Sequence, residues 1–218
     1  ERMFDSAVDT LVRWQLSSRP DVLPDYDEAV LRRELQLFPD WYVRYVKGRE
    51  LSADEQADWA ELCRLLLDSI QAESKVFVHR DYMPRNLMTA PGDPGVLDFQ
   101  DALYGPVSYD VTSLFADAFF CLPLPRREIW LRTYWHRAWD AGIEVPDACA
   151  TFLDRSRLMG VQRHLKVLGI FARICHRDGK PHYLTDAPRF INYLHEACDH
   201  DVRLAPLQRL LESLEMRP

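Results

Sequence analysis

Between Val76 and Asp101 the chain reads Val-Phe-Val-His-Arg-Asp-Tyr-Met-Pro-Arg-Asn-Leu-Met-Thr-Ala-Pro-Gly-Asp-Pro-Gly-Val-Leu-Asp-Phe-Gln-Asp. Three side chains in this stretch have the types and spacing for chemistry. Asp81 offers a carboxylate that can take or orient the proton of a hydroxyl. A carboxylate is a weak base at neutral pH, so orientation is its larger role. Asn86 follows five residues later and Asp98 twelve after that. Both present hard oxygens, the ligands Mg²⁺ prefers while it keeps part of its water shell. An apolar run, Val76 to Val78, feeds the polar loop, and a second one, Val96-Leu97, ends in Asp98. Strand, loop, strand, turn, strand, Asp suits phosphoryl transfer. That reaction needs an oriented acceptor, a metal on the phosphates, and positive charge where negative charge develops. The plainer alternative is a surface hairpin with solvated carboxylates.

These residues need a frame, and the rest of the chain reads as helices. Residues 2 to 17 put Phe4, Ala7, Val8, Leu11 and Val12 on one stripe. Residues 27 to 38 form a second helix with Asp27 as its cap, and Trp41, Tyr42, Val43, Tyr45 and Val46 continue an apolar segment. Ser52-Ala-Asp-Glu55 is a capping box. It opens a buried helix to about Ala72, with Trp59, Leu62, Cys63, Leu66 and Ile70 inward. Asp110 stands in the first turn of an apolar helix from Val111 to Phe120. Further helices run over Arg126 to Ala141, stopped by Gly142, and over Pro146 to His176, and two more start at Pro188 and Pro206. Along 146–176, Leu158, Val161, Leu165, Leu168, Ala172 and Cys175 form the apolar stripe. Arg157, Arg163, His164 and Lys166 lie opposite, either as a solvent face or as a sugar or anion site. Three short strands and about eight helices make the fold class mainly α with a small β element, α+β.

Composition narrows the partners. Of 218 residues 47 % are hydrophobic, enough for a substantial core, and the net charge of −7 argues against nucleic acid. No run of 18 apolar residues marks a membrane span, and no signal peptide is visible. Cys63, Cys121, Cys149, Cys175 and Cys198 are odd in number and widely spaced, which reads as reduced core thiols of a cytoplasmic protein. His195-x-x-Cys198 with His200 has zinc-binding residue types but lacks a second Cys pair.

The spacing His79-Arg80-Asp81-x-x-x-x-Asn86 followed by Asp98-Phe99-Gln100 resembles the catalytic loop and second metal ligand of protein kinases and of the aminoglycoside phosphotransferase superfamily. Gly105-Pro106 and Asp110 fit a comparable stretch in that superfamily. Within it, His79 to Met88, Leu97 to Ala102, and Gly160-Val-Gln-Arg-His-Leu-Lys-Val-Leu-Gly-Ile-Phe171 are similar to bacterial N-acetylmuramate/N-acetylglucosamine anomeric kinases. The resemblance implies the C-terminal lobe of a protein-kinase-like fold over 1–218, with ATP and Mg²⁺ as cofactors. It implies phosphorylation of the C1 hydroxyl of a cell-wall amino sugar in peptidoglycan recycling. Asp81 becomes the catalytic residue, and Asn86 and Asp98 become ligands for metal and nucleotide. His79 and Asp110 become structural supports of the loop. Tyr82, Asp101, Arg163, Lys166 and Glu34 become candidates for the acceptor. Asp101 reads equally as a residue that helps hold metal or sugar and as a turn residue, and Glu34 equally as a solvated helix residue. Arg80 departs from the antibiotic kinases, which usually have Gly there.

Nothing before Val76 resembles a nucleotide-binding lobe: no Gly-rich loop, no strand lysine and no paired helix glutamate. The expectation is that the N-terminal lobe is absent from this chain. Its loss would uncover an apolar face near Val76 and residues 1 to 12 that favours self-association. Two other functions stay open: a kinase for an aminoglycoside, choline or homoserine, and a catalytically inactive binding module.

Overall fold

The computed structural model describes residues 2–89, 94–116 and 122–217. Cys121 and the end of the helix expected to reach Phe120 lie outside the described residues. The fold is mainly helical with a small antiparallel β element, and the chain divides into two compact units.

The first unit holds residues 1–27 and 70–159. Helix α1 (Arg2–Leu16) buries Ala7, Val8, Leu11 and Val12 along one stripe, and Gln15 joins them. Among the described residues the β element has four strands rather than three, in two pairs. Strand β1 (Lys75–Val78) pairs antiparallel with β4 (Leu103–Pro106), setting Val76 opposite Gly105 and Val78 opposite Leu103. Strand β2 (Leu87–Met88) pairs with β3 (Gly95–Val96) over two residues each. Gly105 allows close approach, because a Cβ there would meet the Tyr26 Cβ at 2.6 Å. Tyr104 ties the Pro24–Tyr26 backbone to this strand: Tyr26 N–H donates to the Tyr104 carbonyl, and Tyr104 N–H donates to the Pro24 carbonyl, each at 2.8 Å. Helix α4 (Tyr109–Phe115) is buried throughout. Helix α5 (Leu124–Asp140) turns Trp130, Tyr134 and Ala138 inward, while Ile129 and Trp139 are exposed. Phe115 and Trp130 stack at 5.7 Å, and Phe4 meets Phe115 edge-on at 5.4 Å.

The second unit holds residues 28–69 and 160–218. Helix α2 (Glu28–Leu37) does not end where its pattern fades. It continues as a wider π-helix over Phe38–Val46, which takes in the apolar segment at Trp41 to Val46. The widening lets Phe38 stack on both Tyr42 and Trp59, each at 5.5 Å. Helix α3 (Ala53–Gln71) begins with the capping box. Glu55 N–H donates to the Ser52 hydroxyl, and Ser52 N–H donates to the Glu55 carboxylate. Arg49 donates to both oxygens of Glu55 at 2.6 and 2.7 Å, which holds that carboxyl well below the usual range. Only one face of α3 is buried, with Trp59, Leu62, Leu66, Leu67 and Ile70 on it; Cys63 is half-buried. Helices α7 (Ala187–His200) and α8 (Ala205–Ser213) complete this unit.

Helix α6 (Cys149–Asp178) contributes residues to both units. Its polar residues Arg163, His164 and Lys166 are buried, so the solvent-face reading fails for all three. Gly169 explains one close contact: a Cβ there would lie 2.4 Å from the Leu37 backbone. Cys63, Cys149, Cys175 and Cys198 are free thiols, half-buried rather than in the core. His195, Cys198 and His200 each bond a different carbonyl, of Met216, Leu204 and Glu196. No helix among the described residues is long and apolar enough to cross a membrane.

One buried acid gives a test of the first unit's energetics. Glu73 accepts bonds from Ser108 N–H at 3.0 Å and from the Ser108 hydroxyl at 2.8 Å. Burial outweighs these bonds and pushes its pKa from 4.5 up to about 7. Between those values the unfolded chain releases its proton while the folded chain keeps it, so stability falls as pH rises through this window. Glu73→Gln is neutral at every pH and can still accept from the N–H and donate to the hydroxyl oxygen. Urea unfolding should show the variant gaining on the wild type by roughly 2 kcal/mol between pH 5 and pH 8. An unchanged difference would mean that Glu73 is not a buried neutral acid.

Candidate active site

The loop after β1 is held from below by one carboxylate. Asp110, in the first turn of α4, is 0 % exposed. Its Oδ2 accepts His79 N–H at 2.7 Å and its Oδ1 accepts Arg80 N–H at 3.0 Å. Bonds to an ionised acceptor are the stronger class, about 1.5–3 kcal/mol each. They fall where the backbone turns hardest, since Arg80 takes a left-handed φ of 75°. A side chain in that region costs on the order of 1 kcal/mol that glycine does not. This explains why a related loop can carry Gly at this position. The Arg80 guanidinium lies 5.7 Å over the Tyr26 ring and within 3.5 Å of the Asp101 carbonyl.

A second tie joins the loop to the strand that leads to Asp98. His79 is buried between Trp14 and Tyr82, with ring centroids 6.0 and 5.8 Å away. Its Nε2 bonds the Leu97 carbonyl at 2.9 Å. A carbonyl only accepts, so Nε2 carries the proton. Desolvation lowers the His79 pKa, which keeps the ring neutral. Leu97 N–H in turn donates to the Asn86 carbonyl at 2.9 Å. Asp98 follows with a left-handed φ of 67°, and its Oδ1 accepts from Gln100 Nε2.

Asn86 is fixed by its own side chain, with Nδ2 donating to the Asp81 carbonyl at 2.9 Å. The amide nitrogen is therefore engaged on the loop, which leaves Oδ1 as the side chain's acceptor atom. Asn86 Oδ1 and the Asp98 carboxylate are hard oxygens, a donor set that fits Mg²⁺ and not a thiophilic metal. No group of three or more His, Cys, Asp or Glu side chains gathers as a metal site among the described residues. A cation held by two protein groups would take its other ligands from phosphate and water. Just beyond Asn86, Leu87 and Met88 line an apolar cavity of about 580 Å³ with Met3, Phe4, Ala7 and Leu114.

The acceptor candidates fall in different places. Tyr82 is a core residue: it is 1 % exposed and its hydroxyl donates to the Ala7 carbonyl at 2.7 Å, which takes it away from a ligand role. Asp101 is exposed and lies in a turn with Gln100, as its turn reading expects. Glu34 is not a solvated helix residue. It is buried, with Oε1 2.9 Å from Lys166 Nζ and Oε2 accepting from Gln162 Nε2 at 3.0 Å. Arg163 is also buried. Sequence reasoning missed Gln162, Ser108 and Glu73. Each is a polar residue in an unremarkable local pattern, and its importance comes from a distant partner.

A family model described as "Phosphotransferase enzyme family" matches residues 1–149. N-acetylmuramate/N-acetylglucosamine kinase of Pseudomonas aeruginosa is 56 % identical over 214 residues, which is 98 % of this chain and 63 % of that protein. The Pseudomonas putida protein of the same name is 53 % identical over 213 residues, again 98 % of this chain and 63 % of the relative. The chain thus spans less than two thirds of the length of these curated relatives. Among solved structures, choline kinase from Cryptosporidium parvum superposes with a TM-score of 0.63 at 12 % identity, over 95 % of this chain and 68 % of that one. The ADP-bound aminoglycoside phosphotransferase APH(2'')-Ib gives 0.54 at 14 % identity, over 88 % and 64 %. Those two likenesses concern the fold. With a family model over residues 1–149 and relatives above half identity, the chain belongs to the phosphotransferase enzyme family.

Proposed function

We infer that the whole protein transfers the γ-phosphoryl group of ATP to the C1 hydroxyl of N-acetylmuramate or N-acetylglucosamine. The observation that carries this reading is the pair of ties that fix Asp81, Asn86 and Asp98 on one scaffold: the Asp110 carboxylate under the loop, and His79 on Leu97. The names of the relatives support the acceptor.

Asp81 accepts a hydrogen bond from the sugar hydroxyl and aims its oxygen at the γ-phosphorus, taking the proton as the new bond to phosphorus forms and the bond from phosphorus to the β–γ bridging oxygen breaks, that electron pair leaving with ADP. Asn86 Oδ1 and the Asp98 carboxylate would hold Mg²⁺, which would supply charge neutralisation on the phosphates when bound. The neutral His79 keeps Leu97, and with it the approach to Asp98, at a fixed distance from the loop. The nucleotide and a small amino sugar are the partners, and the cytoplasm, where ATP is available, is the compartment. Kinases of aminoglycosides or choline-like alcohols share the fold. A substrate panel separates them from this reading: a preference for either class over amino sugars overturns it.

Asp81→Asn in the whole protein should lower kcat at least about 10²-fold while nucleotide binding persists, because only the hydroxyl contact is lost. Near-wild-type turnover would remove Asp81 from this role. Asp98→Ala should raise the Mg²⁺ concentration needed for half-maximal rate and nearly abolish turnover. An unchanged Mg²⁺ requirement would place the metal elsewhere. Arg163 or Lys166 is proposed for the lactyl carboxylate of N-acetylmuramate, which N-acetylglucosamine lacks. An ammonium has three donors, so Lys166 can serve while bonded to Glu34. Alanine at the residue involved should raise KM for N-acetylmuramate about tenfold or more over the change for N-acetylglucosamine, as loss of a charge-assisted contact implies. Equal changes for both sugars would assign the cation to packing.

A further inference from the structure

Glu73 lies between the end of α3 and the start of β1, and the chemistry above makes no use of it. It is 7 % exposed, and both its oxygens are spent on one residue: Ser108 N–H donates to Oε2 and the Ser108 hydroxyl to Oε1. The cation whose field reaches it is Arg155, which donates to the Ala72 carbonyl at 3.0 Å. A buried carboxylate without an ion pair costs stability. Its raised pKa of about 7 expresses that cost. What the carboxylate provides is a fixed Ser108. That residue is fully buried and is the flank from which α4 starts, two residues before Asp110. The neighbouring rung, Val107 N–H on the Ser74 carbonyl at 3.0 Å, sets the same junction from the backbone side. Shift Ser108, and the first turn of α4 moves with it. The Asp110 carboxylate would then leave the positions at which it accepts His79 and Arg80 N–H.

We propose that Glu73 is a positioning residue for phosphoryl transfer, acting through Ser108 and Asp110 on the backbone that carries Asp81. This rests on the reading of Asp81 as the residue that orients the acceptor hydroxyl. Glu73 touches no substrate. Its effect is on the geometry of the loop, so it alters turnover and leaves substrate affinity largely intact.

The test uses Glu73→Ala, Glu73→Gln and Ser108→Ala in the whole protein. Three quantities are read: kcat, KM for ATP and for N-acetylmuramate, and the amide hydrogen exchange of His79 and Arg80. Glu73→Ala should lower kcat about tenfold or more with both KM values within about twofold, and should speed exchange of the two amides about tenfold, the scale of one lost hydrogen bond to a charged group. Glu73→Gln, which keeps a partner for both Ser108 groups, should restore kcat and exchange to within about threefold of wild type. Ser108→Ala loses only the hydroxyl bond and should fall between them. Wild-type kcat and exchange in Glu73→Ala would overturn the proposal, as would a Gln variant no better than the Ala one. Should Glu73→Ala fail to fold, Ser108→Ala decides, and wild-type values there overturn it. A wild-type protein that phosphorylates no sugar would sink the functional reading alone, because the exchange rates still report whether Glu73 holds the loop.

Discussion

Everything at the candidate site depends on one buried carboxylate accepting two consecutive backbone N–H groups. Asp110 reaches under the chain at His79 and Arg80, the point where the backbone enters a left-handed turn that an arginine does not favour. Two charge-assisted bonds of about 1.5–3 kcal/mol each exceed the conformational cost of order 1 kcal/mol, so the turn is held. Asp81 follows immediately, and its carbonyl then orients Asn86. The scaffold therefore sets the separation of the candidate base and metal ligand before any ligand arrives, which is what phosphoryl transfer asks of a protein.

The first unit concentrates buried polar groups around this point. Asp110, Glu73, Ser108, His79 and Gln15 are all buried, and Gln15 bonds Val107 and Tyr134. Such groups weaken a core unless each is satisfied, and satisfied networks specify one arrangement. Around them, the apolar contacts of Phe4, Phe115 and Trp130 and the stripe of α1 supply stability without specifying the loop. Packing and positioning are thus carried by different residues of the same unit.

The sequence made some of this legible and hid the rest for physical reasons. Helix stripes, the capping box and the loop spacing are local patterns, and α1, α3, α5 and α6 appear close to where periodicity put them. The π-helix at Phe38–Val46 has no period of its own in a 3.6-residue reading, so it looked like a separate apolar segment. The two-residue strands β2 and β3 are too short to show alternation. The polar residues of α6 looked like a water-facing side because a charged helix face usually is one. Their burial depends on partners far away in sequence, such as Glu34 for Lys166. Tyr82 is hidden for the same reason: a tyrosine beside the candidate site's loop is polar on paper, and only the fold reveals the Ala7 carbonyl as its acceptor.

The most direct measurement compares the whole protein with Asp110→Asn, which keeps size and removes the charge that receives the two N–H groups. Turnover of N-acetylmuramate and ATP would be followed alongside nucleotide affinity and thermal unfolding. The account predicts that kcat falls at least about 10²-fold while nucleotide affinity changes little and the fold persists, as expected when positioning rather than binding is lost. Turnover close to wild type in a folded Asp110→Asn protein would contradict it, because the loop would then hold its geometry without the carboxylate on which this reading rests.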